Sequence, residues 1–187
     1  MRIEPAAGLP DILVIDTVPH EDERGFLMEI YRRDVFARAG LDLEFVQENL
    51  SRSRGNVVRG LHFQHPHGQG KLIRAARGEV FDVGVDVRIG SATYGRWFGT
   101  RLSEAGRRTL YLPPGFAHGF AVLSESAELI YKCTDYHHSG SEHVLAWNDP
   151  AVGIDWPVDR PVLSDRDLAG GTLAELAAAG RLPIHAS

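Results

Sequence analysis

The sequence predicts an all-β jelly-roll barrel or sandwich with a short helical tail, and three observations predict it. Eleven short apolar or alternating runs follow one another along 187 residues. Gly, Pro, Ser and Asn punctuate the gaps between them. Helical periodicity shows in only two places, which leaves strands as the building unit.

Taken in order, the runs are 12–16 (ILVID), 26–31 (FLMEIY), 44–49 (EFVQEN), 57–63 (VVRGLHF), 71–76 (KLIRAA) and 79–87 (EVFDVGVDV). They continue with 96–102 (RWFGTRL), 108–112 (RTLYL), 117–123 (AHGFAVL), 127–133 (AELIYKC) and 143–147 (HVLAW). Of the two helical stretches, the first is expected at 35–38 with Asp34 as its cap. The second, 172–179 (TLAELAAA), ends at Gly180. The Pro-rich stretch 149–163 reads as a loop returning across the barrel rather than a linker. One domain over 1–187 is expected, with a helical tail from about residue 168.

Composition narrows the function. A net charge of −5 lacks the basic balance of a nucleic-acid binder, although a local arginine cluster still suits a nucleotide-sized anion. The single cysteine, Cys133, excludes an intrachain disulfide and fits a reducing compartment. The first residues lack a signal-peptide core, and no apolar run is long enough to span a membrane. A cytoplasmic protein with no membrane or nucleic-acid partner is expected. Of 20 basic residues only Lys71 and Lys132 are lysines. A lysine kept in an arginine-rich chain suggests a need for a compact ammonium, or chance.

Chemistry concentrates in three segments. In Arg59-Gly60-Leu61-His62-Phe63-Gln64, alternation puts His62 on the face of Gly60, which leaves room for a ligand. A histidine in such a strand is otherwise a buried residue bonded to a carbonyl. Lys71 opens the next strand; pointing inward it would stabilise an oxyanion or phosphate, pointing outward it would meet water. Pro113-Pro114-Gly115-Phe116-Ala117-His118 turns sharply and delivers a histidine just past the turn. This P-x-G-x-x-H pattern resembles the second motif of the cupin superfamily of small ligand-holding jelly rolls.

Metal-binding cupins carry H-x-H followed by a glutamate. Here His62-Phe63-Gln64 has glutamine at the second place, and after His65-Pro66-His67 the glutamate's place falls on Lys71 or Leu72. An ammonium does not ligate a cation. No catalytic metal and no cofactor are expected.

Together the motifs resemble the dTDP-4-dehydrorhamnose 3,5-epimerase family. The matching strings are RGFLMEIYR (24–32), QEN (47–49), RGLHFQHP (59–66), QGKLIR (69–74) and GEVFDV (78–83). Further on come VDVRIGSATYG (85–95), PPGFAHGF (113–120), YKCTDY (131–136), WNDPAVGIDWP (147–157) and LSDRD (163–167). They run in order from about residue 11 to about residue 168.

The resemblance implies His62 as general base with Asp167 behind it, Tyr131 as proton donor on the opposite side of the sugar, and Lys71 near the ketone oxygen. It also implies that Arg24, Phe26, Glu29, Gln47, Asn49 and Arg59 bind the nucleotide sugar. His118, His137, Glu142 and Arg166 join that set. Some of these residues are expected to reach across a homodimer interface built by exchanged N-terminal strands.

The set has a chemical rationale. Removing a weakly acidic C–H beside a ketone takes a base near neutral pKa and positive charge at the enolate oxygen. Inversion then requires a proton from the other face, which a tyrosine supplies. Tyr131 on its own, alternating with Leu129 and Cys133, reads as core packing.

Three departures stand out. Arg59 and His62 have opposite strand parity, so either Gly60 marks a bulge or Arg59 serves another part of the ligand. His137 replaces the second tyrosine of the family's pair, its platform for the thymine ring, and Arg166 stands where lysine is common. The activity implied is conversion of dTDP-4-dehydro-6-deoxy-D-glucose to dTDP-4-dehydro-L-rhamnose. The alternatives are single-carbon epimerisation or a 3,4-ketoisomerase on a related sugar, a non-catalytic sugar-nucleotide module, and a metal-dependent cupin.

Overall fold

A computed structural model describes residues 1–185; the last two residues of the expected tail lie outside the described residues. Two antiparallel sheets face each other. One holds six strands: β1 (Arg2–Ala6), β2 (Leu9–Asp16), β10 (Arg108–Leu112), β7 (Lys71–Arg77), β12 (Ser126–Cys133) and β5 (Gln47–Arg54), in that spatial order. The other holds five: β13 (Glu142–Val144), β6 (Val58–Gln64), β11 (Phe116–Val122), β8 (Glu79–Asp86) and β9 (Trp97–Ser103). A separate exposed hairpin pairs β3 (His20–Asp22) with β4 (Gly25–Leu27).

The inner faces make the main core. Ile12, Ile73, Leu110, Leu112 and Leu129 of the six-stranded sheet meet Val80, Leu102, Phe116, Phe120 and Val122 of the other. Each such side chain, removed from water, contributes roughly 1.5–3 kcal/mol. Both outer faces are covered too. Leu61, Phe63, Val83 and Val85 lie beneath Leu145, Leu173, Leu176 and Leu182 of the C-terminal segment. Ile15, Leu72 and Tyr111 lie beneath Phe36, Leu41 and Phe45. This double cover explains why all seven residues of β11 are buried and why its sequence does not alternate in polarity.

The first helix, α1 (Arg33–Arg38), corrects one expectation. Asp34 sits inside its first turn, bonded to Arg32 and Arg38, and the N-cap position is Arg32 without a side-chain cap. A carboxylate there still favours the helix N-terminus by charge. The strand expected over 26–31 stops at Leu27, because the chain leaves the hairpin to send Tyr31 against Phe36 and Phe45. A four-residue helix, α2 (Asp165–Leu168), lies outside the two expected helical stretches; Ser164 caps it by accepting from the Asp167 N–H. The last helix, α3 (Leu173–Ala178), starts with a capping box between Thr172 and Glu175 and is followed by Gly180 at φ +64°. Among the described residues no helix is long and apolar enough to cross a membrane.

Candidate active site

Between the sheets, beyond the apolar core, polar side chains replace apolar ones and a cavity of about 400 Å³ opens. Strand alternation brings them there. On β5, Gln47, Asn49 and Ser51 point inward; on β12, Tyr131 continues the face of Leu129; on β7, Lys71 continues the face of Ile73. From the opposite sheet come Arg59, His62 and His118. His62 and Tyr131 therefore reach one cavity from opposite walls.

The parity conflict between Arg59 and His62 resolves as a bulge. On β11, His118 pairs with His62 and Phe120 pairs with Arg59, so three steps on β6 match two on its neighbour. Gly60 takes φ +116°, a backbone conformation that L side chains rarely adopt. A Cβ at Gly60 would sit 2.6 Å from the Gly119 Cα and 2.7 Å from the His118 carbonyl oxygen. Glycines on both strands let the backbones approach, and both Arg59 and His62 face the cavity.

Each of the two cavity histidines from the five-stranded sheet has a carboxylate behind it. His62 Nε2 lies 2.6 Å from Asp167 Oδ1. Burial pushes the Asp167 carboxyl upward, but hydrogen bonds from His62, Ser164 and the Gly60 backbone outweigh it, so the pKa falls below the usual carboxylate value. An ionised carboxylate only accepts, so Nε2 carries the proton and Nδ1 holds the lone pair. His118 Nε2 lies 3.0 and 3.1 Å from the two oxygens of Asp82, which is fully buried.

Burial lowers the Lys71 pKa, opposed by the nearby Cys133, Glu142 and Asp82. Burial raises the Tyr131 phenol, with Cys133 adding to the shift and Arg59 opposing it. The phenol therefore keeps its proton at neutral pH.

At the mouth, Glu142 accepts from His137 Nε2 at 2.9 Å and pairs with Arg166. These bonds outweigh burial and draw its carboxyl below the usual range. The His137 backbone N–H donates to Gln47 Oε1 at 2.9 Å. The cavity thus combines cations, amides and imidazoles suited to a phosphorylated, polyhydroxylated ligand, with a base and a phenol facing across its interior.

Three expected residues stand elsewhere in this chain. Arg24 pairs with Asp22, Phe26 lies under the Arg107 guanidinium at 4.5 Å, and Glu29 pairs with Arg32. All three are exposed, Arg24 and Phe26 on the β3–β4 hairpin and Glu29 just beyond it, and none lines the cavity. The two short strands pair only with each other, and the hairpin meets Arg107 through Glu21 and Phe26 rather than the cavity.

Ser51, Gln69, Gly119 and Phe120 line the cavity without having been singled out. The hydroxyl of Ser51 is buried without a hydrogen-bond partner among the described residues. Asp82, behind His118, is a further site residue outside the expected set. Its signal was available: an aspartate inside the apolar strand Glu79–Asp86 demands a buried partner.

Known proteins share this sequence and fold. The sequence model described as dTDP-4-dehydrorhamnose 3,5-epimerase matches residues 6–175. A Neisseria gonorrhoeae dTDP-4-dehydrorhamnose 3,5-epimerase is 52% identical over 90% of this chain, which spans about half (52%) of that relative's length. A Streptomyces niveus dTDP-4-dehydrorhamnose 3-epimerase is 43% identical over 100% of this chain and 91% of its own. Among solved structures, a Legionella pneumophila dTDP-6-deoxy-D-glucose-3,5-epimerase in complex with dTDP-4-keto-L-rhamnose superposes with TM-score 0.95 at 42% identity, covering 100% of this chain and 99% of that one. The two-sheet barrel, its polar cavity and these matches make the chain a member of the dTDP-4-dehydrorhamnose 3,5-epimerase family.

Proposed function

We propose that this chain converts dTDP-4-dehydro-6-deoxy-D-glucose to dTDP-4-dehydro-L-rhamnose, inverting the two carbons that flank the ketone. The observation that carries the reading is the placement of His62, backed by Asp167 at 2.6 Å, and Tyr131 on opposite walls of one cavity. His62 Nδ1 takes the proton from carbon, and Asp167 stabilises the imidazolium that results. Lys71 and its ammonium offset charge developing on the ketone oxygen. Tyr131 returns a proton to the opposite face, and the enolate collapses to the inverted ketone.

Gln47, Asn49, Arg59 and His118 hold the nucleotide diphosphate, and Glu142, Arg166 and His137 bind at the mouth. The enzyme works in the cytoplasm as a homodimer. In that assembly the hairpin bearing Arg24 and Phe26, with Glu29 beside it, closes the pocket of the other subunit, which accounts for its exposure here.

Single-carbon epimerisation is the second reading. It is favoured by the similarity to the Streptomyces niveus 3-epimerase and by His137, which presents an imidazole where a tyrosine ring would stack.

The test is to supply the 4-keto-6-deoxy nucleotide sugar and follow the product by NMR in the native chain and in His62→Asn. Formation of the L-sugar, lost in the variant while dTDP still binds, is expected. An active His62→Asn variant, or binding without turnover in the native chain, refutes the proposal.

A further inference from the structure

Beside the mouth of the cavity, the turn after β6 faces the segment after β12, and three side chains converge there that the reaction leaves unused. The His67 and His138 rings stack with centroids 4.3 Å apart and planes 28° from parallel. Asp135 lies against both, with Oδ2 at 3.9 Å from His67 Nδ1 and Oδ1 at 3.7 Å from His138 Nε2. One ligand atom from each of the three lies within 4.8 Å of the other two. These separations are too long for hydrogen bonds.

Two glutamines fix the backbone beneath all three. Gln64 Nε2 donates to the carbonyls of His67 and Tyr136 at 2.7 and 3.2 Å, and its Oε1 accepts from the His138 N–H at 2.8 Å. Gln69 Nε2 donates to the Asp135 carbonyl at 2.8 Å. Gln64 is itself buried, so the backbone positions of the three residues are built into the fold, while their side chains stay partly open to solvent.

We propose that His67, Asp135 and His138 bind one divalent transition ion of the zinc type. This goes beyond the epimerase reading and concerns a site apart from the His62–Tyr131 gap. Bonds of about 2.1 Å in a tetrahedral arrangement place ligand atoms roughly 3.4 Å apart. The separations of 3.9 Å from His67 Nδ1 to Oδ2 and 3.7 Å from His138 Nε2 to Oδ1 exceed that edge by about half an ångström or less, a gap that rotation of these partly exposed side chains closes onto one carboxylate oxygen. Two imidazoles and one carboxylate select zinc, cobalt or nickel over magnesium or calcium. Three protein ligands leave a fourth position to water. The bound ion ties the turn bearing His67 to the segment that carries His137 into the cavity mouth.

The experiment titrates the untagged full-length chain with Co²⁺, read by its visible absorption, and then displaces it with Zn²⁺. One ion per chain is expected, weakened by roughly tenfold or more in His67→Asn and in His138→Gln. His67 has φ +66°, and asparagine tolerates that region, so the first variant keeps the turn. A circular dichroism spectrum confirms folding of each variant. Absence of saturable binding, or unchanged affinity in the folded His67→Asn/His138→Gln double variant, overturns the proposal.

Discussion

His62 and Tyr131 were ambiguous one at a time in the sequence, a histidine in an apolar strand and a tyrosine among core residues. The structure separates their surroundings. His62 has a carboxylate at 2.6 Å on Nε2, whereas burial holds the Tyr131 phenol protonated. Replacing His62 by Asn is expected to lower kcat on the order of 10²–10⁴-fold, measured by product NMR. Tyr131→Phe removes the returning proton but leaves the base, so it should retain exchange of substrate C–H with solvent while losing inversion. A variant that inverts at the native rate would show that another group donates.

Gly60 makes a sharper structural prediction. Gly60→Ala places a methyl 2.6 Å from the Gly119 Cα at a positive φ, and should cost about 2–4 kcal/mol in urea unfolding. Loss of activity should accompany it, because Arg59 and His62 share the cavity only through that bulge.

At the scale of elements, the strands were largely legible because their runs are short and punctuated. The missed elements have specific causes. β1 carries Pro5 and one buried residue, and β3 is wholly exposed, so neither shows an apolar pattern. α2, which delivers Asp167, is four residues long, too short for a helical period. The site was legible through the motif strings rather than through periodicity, since alternation alone misplaces Arg59 and is silent on Asp82.

One motif turned out to be structural. In 85–95, Asp86 accepts from Arg88, from Ser91 Oγ and from Thr93 Oγ1. Burial opposes ionisation, yet these bonds lower its pKa to about 2. The carboxylate therefore stabilises the fold above its ordinary pKa of 3.8, and that contribution disappears as pH falls through about 2. Asp86→Asn should cost about 2 kcal/mol at neutral pH. The gap between native and variant in urea unfolding should narrow below about pH 4 and stay constant between about pH 5 and 8; a gap unchanged at low pH would assign the effect to shape alone.

At the scale of the whole molecule, both sheets are covered on their outer faces, and among the described residues the β3–β4 hairpin has every strand residue exposed. The resemblance groups Arg24, Phe26 and Glu29 with cavity residues they do not meet in this chain and expects part of that set to reach across a dimer interface; strand periodicity carries no signal for which part. A dimer by sedimentation is expected, with Arg24→Ala raising KM by about tenfold and leaving kcat nearly unchanged. A monomer of full activity would refute that assembly.

The opposed base and phenol make a claim about carbon atoms that can be counted. The most direct measurement is incubation with the 4-keto-6-deoxy nucleotide sugar in heavy water, followed by NMR of the sugar ring. Deuterium at both carbons next to the ketone, with both centres inverted, is the result expected. Label at one carbon would make this a single-centre epimerase, and label at neither would contradict proton abstraction altogether.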